Sequence, residues 1–351
     1  MKPFALNLPF LKTPTATALL PTGASALVFI GVSALFFALL GHEPFGLLWQ
    51  VVLGAFGDKY SFTETLVKTA PILLCALAAA VPARLGLLTV GASGQFYLGA
   101  WLGTGIVLLL AETSGLVLLP LMLLGAALGG AAWSVIPGFL RARWEVNETL
   151  STLLLNYVGA LIVEWAVYGP WRDPGALGFP ATRVLPDSIK LPTFLESRAH
   201  LGLLFGLVLA VGLHLLFTRS RWGLSLRIMK SNRKVAESAG MNYKLNVILI
   251  MAIGGAIAGL AGMCEVSAIH GRLQPGIALN FGLTGFLVAW MAGQHLIKII
   301  PLSLIMGAIL AASDALQLFY SLPAAIAVVL QALLFLSVLA VGGFLSKRKK
   351  A

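Results

Sequence analysis

Three carboxylates interrupt long apolar runs of the sequence, and they are the side chains that packing alone explains least. These residues are Glu164, Glu265 and Asp314. A charge inside the hydrocarbon of a bilayer costs free energy unless a partner or water covers it. All three fall toward one end of their apolar run. Either a position at the membrane interface or a polar vestibule on a solute pathway therefore explains them.

Uncharged polar residues form a second group in two further apolar runs. Gln95 follows a cluster of small and polar residues that begins at Thr89, and Asn156 lies in a later run. A break in a membrane helix is tolerated only where protein or a water-filled cavity covers the freed backbone groups, and in transporters such breaks often mark the pathway. Interhelical hydrogen bonding is the alternative. The candidate pathway residues are Thr89, Gly91, Ser93, Gly94, Gln95, Asn156, Glu164, Glu265 and Asp314.

Sequence motifs for covalent or hydrolytic chemistry are absent. The sequence contains no GxxxxGK[ST] phosphate loop, no HExxH zinc motif and no GxSxG nucleophile motif. The five histidines are scattered singly, and Cys75 and Cys264 lie in apolar runs. We therefore expect this chain to have no enzyme activity and to bind no metal or cofactor itself.

The composition identifies the environment in which these residues act. Of 351 residues, 59% are hydrophobic and 11% charged, whereas about 25% of the residues of a soluble domain are charged. The mean hydropathy is +0.94. No single globular core could hide so much apolar surface from water. The sequence therefore predicts an all-α polytopic membrane protein and excludes a soluble enzyme.

About ten apolar segments have the length, roughly 20 residues, that a membrane-spanning helix needs. The predicted helices are 20–42, 65–83, 86–110, 115–140, 149–168, 200–218, 244–266, 279–297, 299–318 and 322–344. Three glycine pairs within them, Gly99/Gly103, Gly125/Gly129 and Gly255/Gly259, have the spacing of close helix–helix contacts.

Most basic residues lie in the loops and terminal segments on one side of the predicted membrane helices. The net charge is +11, and 17 of the 24 Lys and Arg residues fall in the terminal segments and in alternate loops on one side of the membrane. By the positive-inside rule this side is the cytoplasm and holds both termini. The charge is thus explained by topology, and no nucleic-acid partner is expected. The predicted divisions are a cytoplasmic N-terminus 1–19, one transmembrane domain 20–346 with an outer loop 169–199 and a cytoplasmic loop 219–243, and a basic cytoplasmic tail 347–351.

The cytoplasmic loop 219–243 carries a second signal besides its charge. Asn232 can cap a short helix and Gly240 can end it. A charge cluster that only sets topology is one interpretation. A short capped helix is more than topology requires, and it suggests a surface that docks onto another protein.

Three stretches of the sequence resemble a known family when they are taken together. Residues 86–100 read GLLTVGASGQFYLGA, which resembles the GLFNIGAEGQLYLGA signature of the inner-membrane permeases of bacterial nucleoside and simple-sugar ATP-binding cassette (ABC) importers. Residues 145–157, EVNETLSTLLLNY, resemble the NEVISTIMLNYIA segment of that family. Residues 232–242, NRKVAESAGMN, followed by GGAIAGLAG at 254–262, resemble its NPKAAEYAGIN…SGALAGLAGA region.

This resemblance implies an architecture and a set of partners. The architecture is that of a type II permease, similar to the vitamin B12 permease, in the bacterial inner membrane. The partners are two ATPase subunits that bind ATP and Mg²⁺, a second homologous permease, and an extracytoplasmic substrate-binding lipoprotein. The helix that would couple this chain to the ATPase contains Asn232, Arg233, Lys234, Ala236, Glu237, Gly240 and Met241.

The resemblance also implies a function. A permease of this family forms the translocation pathway for a nucleoside or a related sugar-containing solute, driven by ATP hydrolysis in its partners. The alternatives are a permease of the same fold for simple sugars or branched-chain amino acids, and a gradient-driven secondary carrier. The secondary carrier would depend on the three membrane acids.

Overall fold

The protein is described by a computed structural model that covers residues 16–348 except 111–113, 177, 195–196 and 279. Most of the predicted N-terminal segment 1–19 and residues 349–351 of the predicted tail lie outside the described residues. Within the described ranges the only paired extended residues are an isolated bridge between Thr193 and His200. The predicted all-α fold is confirmed for the described residues.

Thirteen α-helices make up the described chain. They are α1 Ala16–Leu39, α2 Pro44–Phe56, α3 Lys59–Ala80, α4 Ala92–Leu109, α5 Gly115–Trp144, α6 Glu148–Tyr168, α7 Leu201–Arg219, α8 Arg221–Ser231, α9 Arg233–Ser238, α10 Tyr243–Glu265, α11 Phe281–Met291, α12 Leu296–Tyr320 and α13 Ala325–Arg348. We call the end of the bundle that carries 219–243 the basic end, and the end that carries 169–200 the loop end.

Length and composition support fewer membrane spans than the predicted ten. Among the described residues seven helical segments are long and apolar enough to cross a bilayer, or eight if the α1–α2 pair counts as one span. The seven are Lys59–Leu85, Gly115–Trp144, Glu148–Tyr168, Leu201–Arg219, Tyr243–His270, Leu296–Tyr320 and Ala325–Phe344. The predicted segment 20–42 qualifies only as part of the α1–α2 pair. The other two predicted segments that fall short are 86–110, whose 18-residue α4 is not among these helices, and 279–297, where α11 has 11 residues.

The segment between the predicted helices 20–42 and 65–83 is itself largely helical. Residues 43–64 contain α2, which begins with Pro44, a residue suited to the first turn of a helix, and is bent by 118° from α1. Gly54 of α2 lies against α12, where a Cβ built on this glycine would be 3.2 Å from the Ala312 Cα. Hydropathy missed α2 because 13 residues are too few for a span of roughly 20.

Burial separates the central helices from the peripheral ones. In α3 and the turn after it, 89% of the apolar stretch is buried, and in α10 and its continuation 67%. The corresponding share for α6 and α7 is 28%. The centre of the bundle is therefore α3 and α10, and α6 presents most of its surface outward.

Glycines allow α4, α5 and α10 to approach one another closely. A Cβ on Gly259 of α10 would overlap the carbonyl oxygen of Ala126 in α5, and a Cβ on Gly99 of α4 would overlap the Cα of Gly259. Gly255 meets the carbonyl oxygen of Gly130 in the same way. Close packing, as predicted for these glycine pairs, is confirmed, since backbones in membranes approach where side chains are smallest.

The segment between α6 and α7 packs onto the loop end of α10. After Glu265 this helix continues as one π-helical turn, Val266–His270. The Ser267 hydroxyl accepts from the Leu191 N–H at 3.1 Å, and the Leu185 N–H donates to the Gly271 carbonyl at 2.8 Å. The described part of the predicted loop 169–199 is therefore hydrogen-bonded to the end of α10 and the residues that follow it.

We expect Gly259→Ala to destabilise the protein, because the added methyl group meets backbone atoms that cannot move aside. Overpacking of this kind costs about 1–3 kcal/mol. The measurement is the thermal transition of the purified protein in detergent. The control is Gly212→Ala in α7, where no atom lies within 4 Å of the added Cβ. Equal transition temperatures for the two variants would contradict the packing assignment.

Candidate functional site

A non-helical segment separates α3 from α4, and we call this interruption the break. A 3₁₀ turn, Pro82–Leu85, follows α3 and ends at Gly86, whose φ of +84° is a left-handed conformation that favours glycine. Residues 87–90 have no regular secondary structure, and α4 begins at Ala92. The peptide groups between the two helices therefore lack the regular bonds of a helix.

Polar side chains of α6 supply the missing hydrogen bonds. Glu148, Thr152 and Asn156 are spaced by four residues and so lie on one face of that helix. Glu148 Oε1 accepts from the Leu88 N–H at 3.1 Å, and Thr152 Oγ1 accepts from the Val90 N–H at 3.2 Å. Thr149 Oγ1, next to the first of these positions, donates to the Leu88 carbonyl at 2.7 Å. We call Glu148, Thr149, Thr152 and Asn156 the α6 ladder.

Asn156 makes two of these bonds with one amide group. Its Oδ1 accepts from the Gly94 N–H at 2.7 Å, and its Nδ2 donates to the Val90 carbonyl at 2.8 Å. The side chain thus spans the break and the first turn of α4. No other residue type of this size offers both a donor and an acceptor in that geometry without a charge.

Small residues allow α6 to lie this close. A Cβ on Gly91 would be 2.8 Å from the Thr152 Cβ, and a Cβ on Gly94 would be 2.8 Å from the Leu155 carbonyl oxygen. Gln95 is bonded to α5, since its Nε2 donates to Ser134 Oγ at 3.1 Å. The predicted polar cluster is therefore largely occupied by contacts that hold the break.

An open pocket of about 260 Å³ lies beside the break. It is lined by Val90, Ser93, Tyr97, Leu153, Asn156, Tyr157, Ala160, Ala278, Asn280 and Leu283. None of these residues is charged. We call this cavity the break pocket.

On its basic-end side the break is tied to α8 and to the turn before α12. Lys230 Nζ of α8 donates to the Ala83 carbonyl at 2.9 Å, and Arg84 Nη2 donates to the Gln294 carbonyl at 2.9 Å. Gln294 itself has a φ of +63° and follows Gly293, whose φ is +56°. The residues before the break therefore make polar contacts with the segment that leads into α9.

The short helix predicted at 232–240 is present as α9. Asn232 Oδ1 accepts from the Val235 N–H at 3.2 Å, and Gly240 has a φ of +79°. Arg233 lies between two carboxylates, with Nη1 2.8 Å from Glu145 Oε1 and Nε 2.9 Å from Glu237 Oε1. The hydrogen bond from Arg233 lowers the pKa of the Glu145 carboxyl below its ordinary value.

The other predicted residues of this helix divide into an inner and an outer set. Ala236 is fully buried, and its carbonyl accepts from the Met241 N–H at 3.0 Å. Lys234 is exposed, and Val235 beside it is 56% exposed although it is aliphatic. The helix is thus anchored on one side and presents the other to its surroundings.

The three membrane acids do not converge on one site. Glu164 lies on α6 one turn beyond Ala160 of the break pocket. Asp314 pairs with Lys68 at 3.2 Å, far from the α6 ladder and toward the loop end. Glu265 is 4% exposed, and its Oε1 is 3.8 Å from His270 Nε2. In the structure, Thr89–Gln95 therefore lie next to Asn156, whereas Glu265 and Asp314 lie elsewhere.

Sequence reasoning missed most of the groups that hold the break. Glu148, Thr149 and Thr152 were not among the candidate residues, and neither were the pocket residues Tyr97 and Asn280. The four-residue spacing of Glu148, Thr152 and Asn156 was a detectable signal, because it predicts a polar stripe on a helix that is otherwise apolar.

We expect Asn156→Leu to destabilise the protein, because the change leaves the Gly94 N–H and the Val90 carbonyl without partners. An unsatisfied buried group costs about 1–3 kcal/mol. The measurement is the thermal transition in detergent. Ser151→Ala on the same helix is the control, since its hydroxyl bonds only to carbonyls of Asn147 and Glu148 in its own turn. A transition temperature for Asn156→Leu equal to that of the control would contradict the bracing role.

Comparison with known proteins places the chain among membrane permeases. It is 30% identical to a glucose ABC transporter permease of Haloferax volcanii, over 92% of this chain and 86% of the relative. It is also 30% identical to a guanosine ABC transporter permease of Bacillus subtilis, over 86% of this chain and 85% of the relative. A nucleoside ABC transporter permease of Lactococcus lactis is 25% identical to this chain, over 83% of the chain and 82% of the relative.

No solved structure matched the chain significantly. The sequence profile of one family covers residues 61–339, which include the break, the α6 ladder and α9. The resemblance inferred from the three motifs is confirmed. The chain belongs to the family described as branched-chain amino acid transport system / permease component.

Proposed function

We propose that this protein is the permease subunit of an ABC importer that carries a nucleoside through the membrane. The observation that carries the proposal is the α6 ladder, which holds a broken helix beside an uncharged pocket within the part of the chain that matches the permease family. The names of two of the three relatives, the guanosine and nucleoside permeases, support a nucleoside. The glucose permease, at 30% identity, makes a simple sugar the second candidate.

We propose a type II permease arrangement with both termini in the cytoplasm. In this arrangement the helices that do not qualify as spans by themselves are still membrane segments. If the α1–α2 pair is one membrane segment, and the short α4 and α11 are embedded beside the break, the chain has ten segments. The basic end would then face the cytoplasm, in agreement with the positive-inside rule. Residues 20–346 would form one domain in the bacterial inner membrane.

The proposed partners supply what this chain lacks. ATP and Mg²⁺ would be bound by separate ATPase subunits, and a substrate-binding lipoprotein would deliver the solute at the loop end. A second homologous permease would complete the pathway. Bacillus subtilis contains two guanosine permeases similar to this chain, at 30% and 26% identity, which supports a heterodimer.

α9 is the proposed contact with the ATPase. Its exposed side carries Lys234 and Val235, and an exposed aliphatic side chain next to charged ones suits a protein interface. α8 immediately precedes α9 in the chain, and its Lys230 bonds to the Ala83 carbonyl just before the break. A displacement of α9 would therefore be passed to the break through direct polar contacts.

We expect unlabelled inosine to inhibit uptake of tritiated guanosine in the native host, whereas glucose and leucine do not. A nucleoside carrier recognises the base, which neither competitor has. The measurement is initial uptake with a strain that lacks this gene as the control. Inhibition by glucose alone would assign a sugar instead, and uptake equal to that of the deletion strain would overturn the proposal.

We expect Val235→Asp to reduce ATPase co-purification and uptake by about tenfold or more, because a charge replaces an apolar contact at the centre of the proposed interface. The measurement is the amount of ATPase that co-purifies with tagged permease from detergent, together with uptake in cells.

The matched control is Leu224→Asp in α8, where the wild-type side chain has a similar exposure of 52%. This variant should retain the ATPase. Normal co-purification and uptake with Val235→Asp would show that α9 is not the coupling contact.

A further inference from the structure

The break pocket opens onto a face of the chain that lipid cannot satisfy. Tyr157 on this face is 68% exposed, and Asn280 is also exposed. Within the described residues the side chains of Ser93, Tyr157 and Asn280 make no hydrogen bond. Polar groups at membrane depth are tolerated only where protein or a water-filled cavity covers them. This face therefore borders the pathway or another subunit.

Asn280 is held in a backbone conformation that is unusual for a side chain of its size. Its φ is +63°, and it immediately precedes the first turn of α11. Asparagine tolerates this region better than most residues, but glycine does so without strain. The side-chain amide is thus presented at the edge of the pocket, and it makes no hydrogen bond to any of the described residues.

The chemistry of the lining defines what the pocket can accept. Tyr97 and Tyr157 offer aromatic surface, while Ser93 and Asn280 offer hydrogen-bond donors and acceptors. A pocket without a charged lining residue would leave a phosphate or an amino-acid ammonium and carboxylate unpaired, at a high desolvation cost. An uncharged solute with a planar ring can stack on the aromatic surface and hydrogen-bond to the polar groups.

We propose that the break pocket is a contact site for the base of an uncharged nucleoside during its passage, with Tyr157 as the stacking surface and Asn280 as a hydrogen-bonding partner. This inference rests on the proposed function and goes further, because it assigns the recognition of the base to specific residues.

The test uses the native host with variants introduced at the chromosomal gene, and tritiated guanosine at a saturating concentration. We expect Tyr157→Ala to lower the saturating uptake rate about tenfold, since loss of one aromatic–base stack has effects of this order. Tyr157→Phe keeps the ring and should retain most of the rate. Asn280→Gly keeps the left-handed backbone but removes the amide, and it should also lower the rate.

Tyr168→Ala is the matched control, because this tyrosine lies on the same helix, is 62% exposed and does not line the pocket. Photolabelling of the purified complex with 8-azidoguanosine gives an independent readout, and the label should fall on the peptide that contains Tyr157 or Asn280. Labelling elsewhere, or wild-type uptake by both Tyr157→Ala and Asn280→Gly, overturns this inference alone. Absence of guanosine uptake by the wild-type strain overturns the proposed function as well.

Discussion

The backbone groups at the start of α4 must be hydrogen-bonded, and the rest of the site depends on how this is done. In water the peptide groups at 88–94 would be solvated, but in a bilayer each unpaired group costs several kilocalories per mole. The α6 ladder meets this requirement with side chains rather than with a continuous helix. Asn156 alone satisfies a donor on Gly94 and an acceptor on Val90. The break is thus a stable element, and α6 is fixed beside it.

The contacts around the break connect the two ends of the bundle. At the basic end Lys230 and Arg84 tie the preceding turn to α8 and to Gln294. Toward the loop end, Trp101 of α4 stacks on Trp171 with ring centroids 5.3 Å apart and an interplanar angle of 15°. The 3₁₀ turn before the break and the loop end of α4 therefore each have a defined partner. A broken segment that is attached on both sides is suited to transmit a movement without unfolding.

Two of the three acids that first suggested a solute pathway lie away from the break pocket. Asp314 is paired with Lys68, and Glu265 is buried near His270, so both belong to the polar contacts toward the loop end. Of the three, only Glu164 lies near the break pocket, one helical turn beyond Ala160. The pocket itself is lined by uncharged groups. This distribution agrees with transport of a neutral solute that is powered by other subunits, and it gives no support to a carrier that works by titrating these three acids.

The sequence alone determined the class of the protein, most of its helices, the capped helix α9 and the close contacts at Gly99, Gly255 and Gly259. These features follow from local composition, capping chemistry and residue size, which are read directly along the chain. Hydropathy could not show that α2 folds back or that α11 ends after three turns. The length of a helix inside an apolar run depends on what its backbone contacts. The α6 ladder and the break pocket were decided by tertiary structure, because they join residues about 60 positions apart. Only the packing of α6 against the break brings their donors and acceptors within reach.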